Sequence, residues 1–207
     1  MKVKSIVNGK SGFTLIEMIG VIAVIAILAA FITPKVFQVI QDSKVTRLAG
    51  EINGYKTAVT NWYKDIGSIQ SLRANGTLDP TENNFHNDLM NNTGTTPTTG
   101  LWANWNGSYI DSVSNSLGTG FRMQTRPGAA GTGAPAANNG TSFDLNDDNA
   151  NSMGGLQVVA IRITGVQASD ATKLDGIIDK GLTVANRVTS GRVKYSGTTV
   201  YIYVTSL

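Results

Sequence analysis

The sequence predicts an α+β protein: one long N-terminal hydrophobic helix packed on a C-terminal antiparallel sheet. Three observations predict it. Residues 13–32 form a twenty-residue apolar run with one ionisable group, Glu17. Beyond Pro34 the apolar spacing stays helical as far as Ile66. Near the C-terminus, residues 199–205 alternate apolar and polar side chains, the period of a half-buried strand.

Composition bounds the rest. The 207 residues suit one membrane-anchoring helix and one modest globular domain. Charged residues make up only 15%, below the roughly 25% of ordinary soluble domains. Asn, Thr, Ser and Gly take their place, as on many secreted or cell-surface proteins. Lys2, Lys4 and Lys10 account for the whole net charge of +3, because the other 14 Lys and Arg balance 14 Asp and Glu. No basic patch argues for nucleic acid as a partner. The leading lysines instead suit an end held in the cytoplasm. Cysteine is absent, which excludes disulfides, thiol catalysis and Cys-ligated metals. Stability must then come from the core, from assembly or from bound ions.

The first element is a leader, residues 1–12, and the second a span, residues 13–33. As a helix the apolar run covers about 30 Å, the thickness of a bilayer core. A plain anchor or a secretory signal peptide would share that run. Yet no small-x-small cleavage site follows it, whereas Lys10-Ser11-Gly12 precedes it. Glu17 costs a few kcal/mol within such a helix. Cleavage after Gly12 would create an α-amino group on Phe13, one turn away. Glu17 could meet that amine in its own chain, or the amine of a staggered neighbour and so fix axial register. A protonated or snorkelling carboxylate is the plainer alternative.

Gly12-Phe13-Thr14-Leu15-Ile16-Glu17, followed by the apolar run, resembles the cleavage and methylation signal of type IV prepilins and type II secretion pseudopilins. The resemblance is strong over residues 9–40 and covers the remainder only in outline. It implies a pilin-like fold, cleavage between Gly12 and Phe13 by an inner-membrane prepilin peptidase, and N-methylation of Phe13. It implies that Glu17 recruits or registers the incoming subunit. It further implies a single-pass precursor in the inner membrane, handled by pilus or secretion assembly machinery. The destination is then an extracellular pilus or a periplasmic pseudopilus. Helical pilins often carry a proline at the distance of Pro34, where the helix kinks. Alternatively, the anchor ends at Thr33 and a new helix starts with Pro34 in its first turn. Gly20 is a second weak point, suited to close helix packing.

Residues 34–66 form the amphipathic half of the helix. Val36, Ile40, Val45, Leu48, Ile52, Tyr55, Val59, Trp62 and Ile66 make its stripe, and Gly67-Ser68 end it. Residues 67–207 form an α+β head. Residues 91–100 and 127–142 read as exposed loops rich in Asn, Thr, Gly, Ala and Pro. Between them Trp102, Trp105, Tyr109, Ile110, Phe121 and Met123 read as core pieces, with partner binding as the alternative for the two tryptophans. Residues 156–164 read as a buried strand. Residues 169–180 read as a short helix capped by Ser169 and ended by Gly181, with Leu174 and Ile177 or Ile178 inward. Asp170 favours its N-terminus, and Asp175 and Asp179 form a solvated face. Residues 192–195 and 199–205 form a hairpin about Ser196-Gly197, with Val200, Ile202 and Val204 on its inner face.

The remaining candidate sites are weak. Asp144, Asn146 and Asp148 have the opening spacing of a calcium loop. Position six is Asn149 instead of Gly and position twelve is Gly155 instead of Glu. A polar turn is the reading, with calcium as the alternative because some secretion pseudopilins bind it. His86, the single histidine, reads as a surface or loop residue. No nucleophile motif, phosphate loop or catalytic constellation is present, so no enzyme activity and no cofactor are expected. The expected function is that of a structural filament subunit. The alternatives are a secretion pseudopilin and a membrane-anchored binding protein that never polymerises. Loop decoration suits an exposed fibre and favours the pilus.

Overall fold

The structure is a computed structural model and describes residues 12–79, 84–90, 99–113, 117–127, 156–182 and 191–206. The chain divides into two compact units, with the boundary after Ile40.

One helix, α1, runs unbroken from Leu15 to Ile66. Its continuity through Pro34 excludes a fresh helix starting there. In the first unit, the apolar side chains of residues 13–40 are exposed within the single chain. In the second unit the sequence stripe is realised: Val45, Leu48, Ile52, Tyr55, Val59, Trp62 and Ile66 are buried, with Ala58 added. Val36 and Ile40 belong to the pattern by spacing but stay exposed. Gly67 closes the helix with φ +78°, its N–H bonded to the carbonyl of Tyr63 at 2.8 Å.

Six strands follow among the described residues. A short hairpin pairs β1 (Ser71–Leu72) with β2 (Leu78–Asp79). The main sheet contains β3 (Gly120–Pro127), β4 (Gln157–Thr164), β5 (Val193–Ser196) and β6 (Thr199–Ser206). Its order is β3-β4-β6-β5, antiparallel throughout. Met123, Val159, Ile161, Ile163, Val193, Val200, Ile202 and Val204 point from it into the core shared with α1. Alternation in β6 thus holds: Val200, Ile202 and Val204 are buried, while Tyr201 and Tyr203 are half-exposed on the other face. Ser196 pairs with Thr199, so the turn is Gly197-Thr198, one residue later than expected, with Gly197 at φ +56°.

Two helices complete the head: α2 (Phe85–Met90) and α3 (Ala168–Ile178). Trp62 is the centre of an aromatic cluster, edge-on to Phe85, Trp102 and Tyr109. Trp102 lies in a 3-10 turn, Gly100–Asn104, and its indole N–H donates to the carbonyl of Arg73 at 2.8 Å. The indole of Trp105 donates to the carbonyl of Asp88 at 3.2 Å. Both tryptophans therefore serve packing.

Three expectations are corrected. Helix α3 begins at Ala168 with Gln167 as its N-cap and Asp179 as its C-cap, so neither Ser169 nor Gly181 bounds it. Asp175 and Asp179 are buried instead of solvated, and Asp170, in the first turn as expected, is buried as well. Asp179 shows why: its Oδ2 accepts the backbone N–H groups of Arg192 and Val193 at 2.9 and 3.0 Å. Burial pushes its carboxyl above the ordinary value, against those two bonds and the charges of Arg192 and Lys194. His86 is buried too. Its Nδ1 accepts the Met123 backbone N–H at 3.2 Å, and its ring stands edge-on to Phe121. An accepting Nδ1 fixes the neutral tautomer with the proton on Nε2.

Candidate functional site

The N-terminal unit begins with an extended stretch at residues 12–14 and turns helical at Leu15. Thr14 is what starts the helix. Its Oγ1 accepts the backbone N–H of Glu17 at 3.3 Å, and Glu17 Oε2 reaches back to accept the Thr14 backbone N–H at 2.7 Å. The Thr14 hydroxyl also donates to that Oε2, at 2.8 Å. Two N–H groups left over at a helix start are thereby satisfied reciprocally, the arrangement of a capping box. Glu17 thus has an intrachain partner, and it is Thr14. The signal was local and readable: Thr-x-x-Glu directly before an apolar run.

Only one carboxylate oxygen is committed this way. Among the described residues, Glu17 Oε1 has no hydrogen bond. The carboxylate is exposed, and so is Phe13, at 82%. A single turn therefore presents an open carboxylate oxygen beside an open aromatic ring.

The described glycines of this unit, Gly12 and Gly20, are unconstrained by the fold. A Cβ built on Gly12 or Gly20 meets nothing within 4 Å. No steric need of the folded chain therefore selects glycine at position 12.

The helix contains an eighteen-residue window of mean hydropathy 2.8, none of it buried. It is long and apolar enough to cross a membrane. Pro34 sits inside the helix and cannot donate to the carbonyl of Ala30. One residue earlier, the Thr33 hydroxyl donates to the Ala29 carbonyl at 2.7 Å. A shallow apolar hollow of about 460 Å³ lies alongside, lined by Ile25, Leu28, Ala29, Ile32, Thr33, Val36 and Phe37.

Asp144, Asn146 and Asp148 lie outside the described residues. So do the leader up to Ser11 and most of the two expected loops. Among the described residues, no group of three or more His, Cys, Asp or Glu could hold a metal ion.

Comparison with known proteins bears on this N-terminal unit. The family model for the prokaryotic N-terminal methylation motif matches residues 7–33. The type IV major alpha-pilin and fimbrial protein Q, both of Moraxella bovis, are each 50% identical to this chain over 52 residues. That stretch is 25% of this chain and 33% of each relative, so the chain matches about a third of their length. No solved structure matches the chain. The N-terminal region thus carries the prokaryotic N-terminal methylation motif and is similar to that of type IV pilins, as the residues from Gly12 to Glu17 implied.

Proposed function

We propose that this chain is the structural subunit of a type IV pilus-like filament. It is made as a single-pass precursor in the inner membrane, with Lys2, Lys4 and Lys10 on the cytoplasmic side. Prepilin peptidase cuts between Gly12 and Phe13, and the new amine of Phe13 is methylated. Residues 13–33 then act first as membrane anchor and later as filament core. Residues 34–66 carry the head, residues 67–207, and Pro34 is the point at which the helix bends. The chain's role is structural and not catalytic.

The observation that carries this reading is the uncovered apolar half of α1, in a helix whose later stripe, from Val45 to Ile66, is packed in the core. Water cannot be its final environment. Covering each large apolar side chain is worth about 1.5–3 kcal/mol, and lipid and then copies of the same helix supply that cover. Glu17 fits both stages. Oε2 keeps its own helix capped through Thr14, while Oε1 is left to receive the ammonium of Phe13 on a neighbour. That contact neutralises two charges that would otherwise be costly among apolar helices.

Electron microscopy of cells making the chain tests this reading. Long surface fibres should appear, and should vanish both on deletion of the chain and in a Gly12→Val variant. Gly12 is open in the fold, so the variant leaves the head intact and acts on processing alone. Fibres that persist in the deletion, or Gly12→Val chains that migrate and assemble as wild type, would contradict it.

A further inference from the structure

The main sheet has a second face, on the side opposite the core. Across it one register row reads Arg122 on β3, Arg162 on β4, Tyr201 on β6 and Lys194 on β5. Neighbouring strands lie about 4.8 Å apart, so Arg122 and Arg162 stand directly opposite each other. Like charges in that position destabilise a sheet unless something lies between them. Neither guanidinium joins an ion pair among the described residues. The Nε of Arg162 is buried and has no hydrogen-bond partner among them. Its guanidinium is held over the Tyr201 ring, 5.9 Å from the centroid.

A groove of about 270 Å³ opens at this pair, lined by Gly120, Phe121, Arg122, Arg162 and Thr164. Gly120 keeps it open. A Cβ there would come within 2.6 Å of Thr164 Oγ1. Arg122, Arg162 and Thr164 therefore border a space that no side chain among the described residues fills.

We infer that this groove binds a small oxyanion, a phosphate or carboxylate group, gripped by Arg122 and Arg162 with the Thr164 hydroxyl as a further donor. Arginine's planar fork matches both anions in a bidentate manner. An anion between the two arginines removes the like-charge conflict and supplies a negative charge beside the buried Nε. The site is remote in sequence from Gly12 to Glu17, and it stands or falls independently of the filament reading.

Thermal unfolding of the full chain in detergent tests it. Inorganic phosphate and acetate are titrated in parallel against chloride at matched ionic strength. The melting temperature of the head should rise with at least one of the two anions, saturably and by a few degrees. Arg122→Gln and Arg162→Gln should each weaken the response roughly tenfold or more. Arg47→Gln, which removes an exposed cation on α1, should keep it. Arg122 is exposed, so its variant folds and decides the matter if Arg162→Gln is unstable. A response to phosphate alone assigns a phosphate-bearing ligand, and a response that includes acetate assigns a carboxylate. No rise above chloride with either anion, or a rise that survives Arg122→Gln, overturns the inference.

Discussion

Residues 15–40 and 41–66 are two halves of one helix with opposite fates. Both are helical, and both are rich in large apolar side chains. In the second half the stripe from Val45 to Ile66 is buried in one core cluster with side chains of the sheet, α2, α3 and the 3-10 turn. In the first half, large apolar groups point outward all round, and nothing among the described residues covers them. A stripe of about 100° is what a helix needs to pack on its own domain. A helix that is apolar all round needs surroundings that are apolar all round. The difference separates the apolar surface that the head's own fold covers from the surface it leaves uncovered.

The largest effect should come from the packed half. Trp62→Ala removes the centre of the aromatic cluster and should cost about 3–5 kcal/mol in urea unfolding of the head. That is a large share of the roughly 5–15 kcal/mol typical of a domain. Leu28→Ala, in the uncovered half, should leave the urea midpoint of the head unchanged and reduce fibre yield. If both variants shifted the midpoint alike, the contrast between the halves would be lost.

Glycines give the next comparison. Gly191 has φ +97°, and a Cβ there would lie 2.5 Å from Asp179 Oδ2. Gly191→Ala should destabilise the head by about 1–3 kcal/mol. Gly12→Ala, with open space around it, should cost nothing measurable in the same assay.

A smaller effect should come from Tyr109, whose hydroxyl donates to Asp65 Oδ2 at 2.6 Å. Burial, and then that bond, push its phenol up to about 12. Its stabilising contribution is complete below pH 10 and is lost as pH rises through about 12. Absorbance titration should show a late ionisation near pH 12, and Tyr109→Phe should diminish that late step and cost about 1 kcal/mol.

The mildest test concerns Asp179. Its raised value means that the protonated form suits the fold better than the charged one. Stability from this group is complete below the ordinary carboxylate range and declines as pH climbs through the raised value. Asp179→Asn should flatten that part of the pH profile of the melting temperature. A wild-type slope retained in the variant would assign the dependence to another group.

The sequence revealed those features whose cause is local or periodic. The α1 stripe from Val45 to Ile66 and the alternation of Val200, Ile202 and Val204 follow from spacing alone, because one covered face imposes one period. The buried polar groups were hidden because their partners are distant. His86 answers Met123, 37 residues on, and Asp179 answers Arg192 and Val193, 13 and 14 residues on. No spacing rule connects such pairs, so a buried aspartate on α3 reads as a solvated one. The two-residue turn was misplaced by one position because Ser196 and Gly197 are both turn formers. At the N-terminus the apolar run and Glu17 pointed to the methylation motif. The Thr14–Glu17 cap was equally legible as Thr-x-x-Glu, whereas the cost of a carboxylate among apolar residues points to the Phe13 amine, in the same chain or a neighbour.

Intact-mass spectrometry of the mature protein from native cells tests the central claim most directly. The account predicts a chain that begins at Phe13 and carries one methyl group on its amine, so that the uncovered helix lies at the very end of the subunit. A chain that retains Met1 and all twelve leading residues would contradict it.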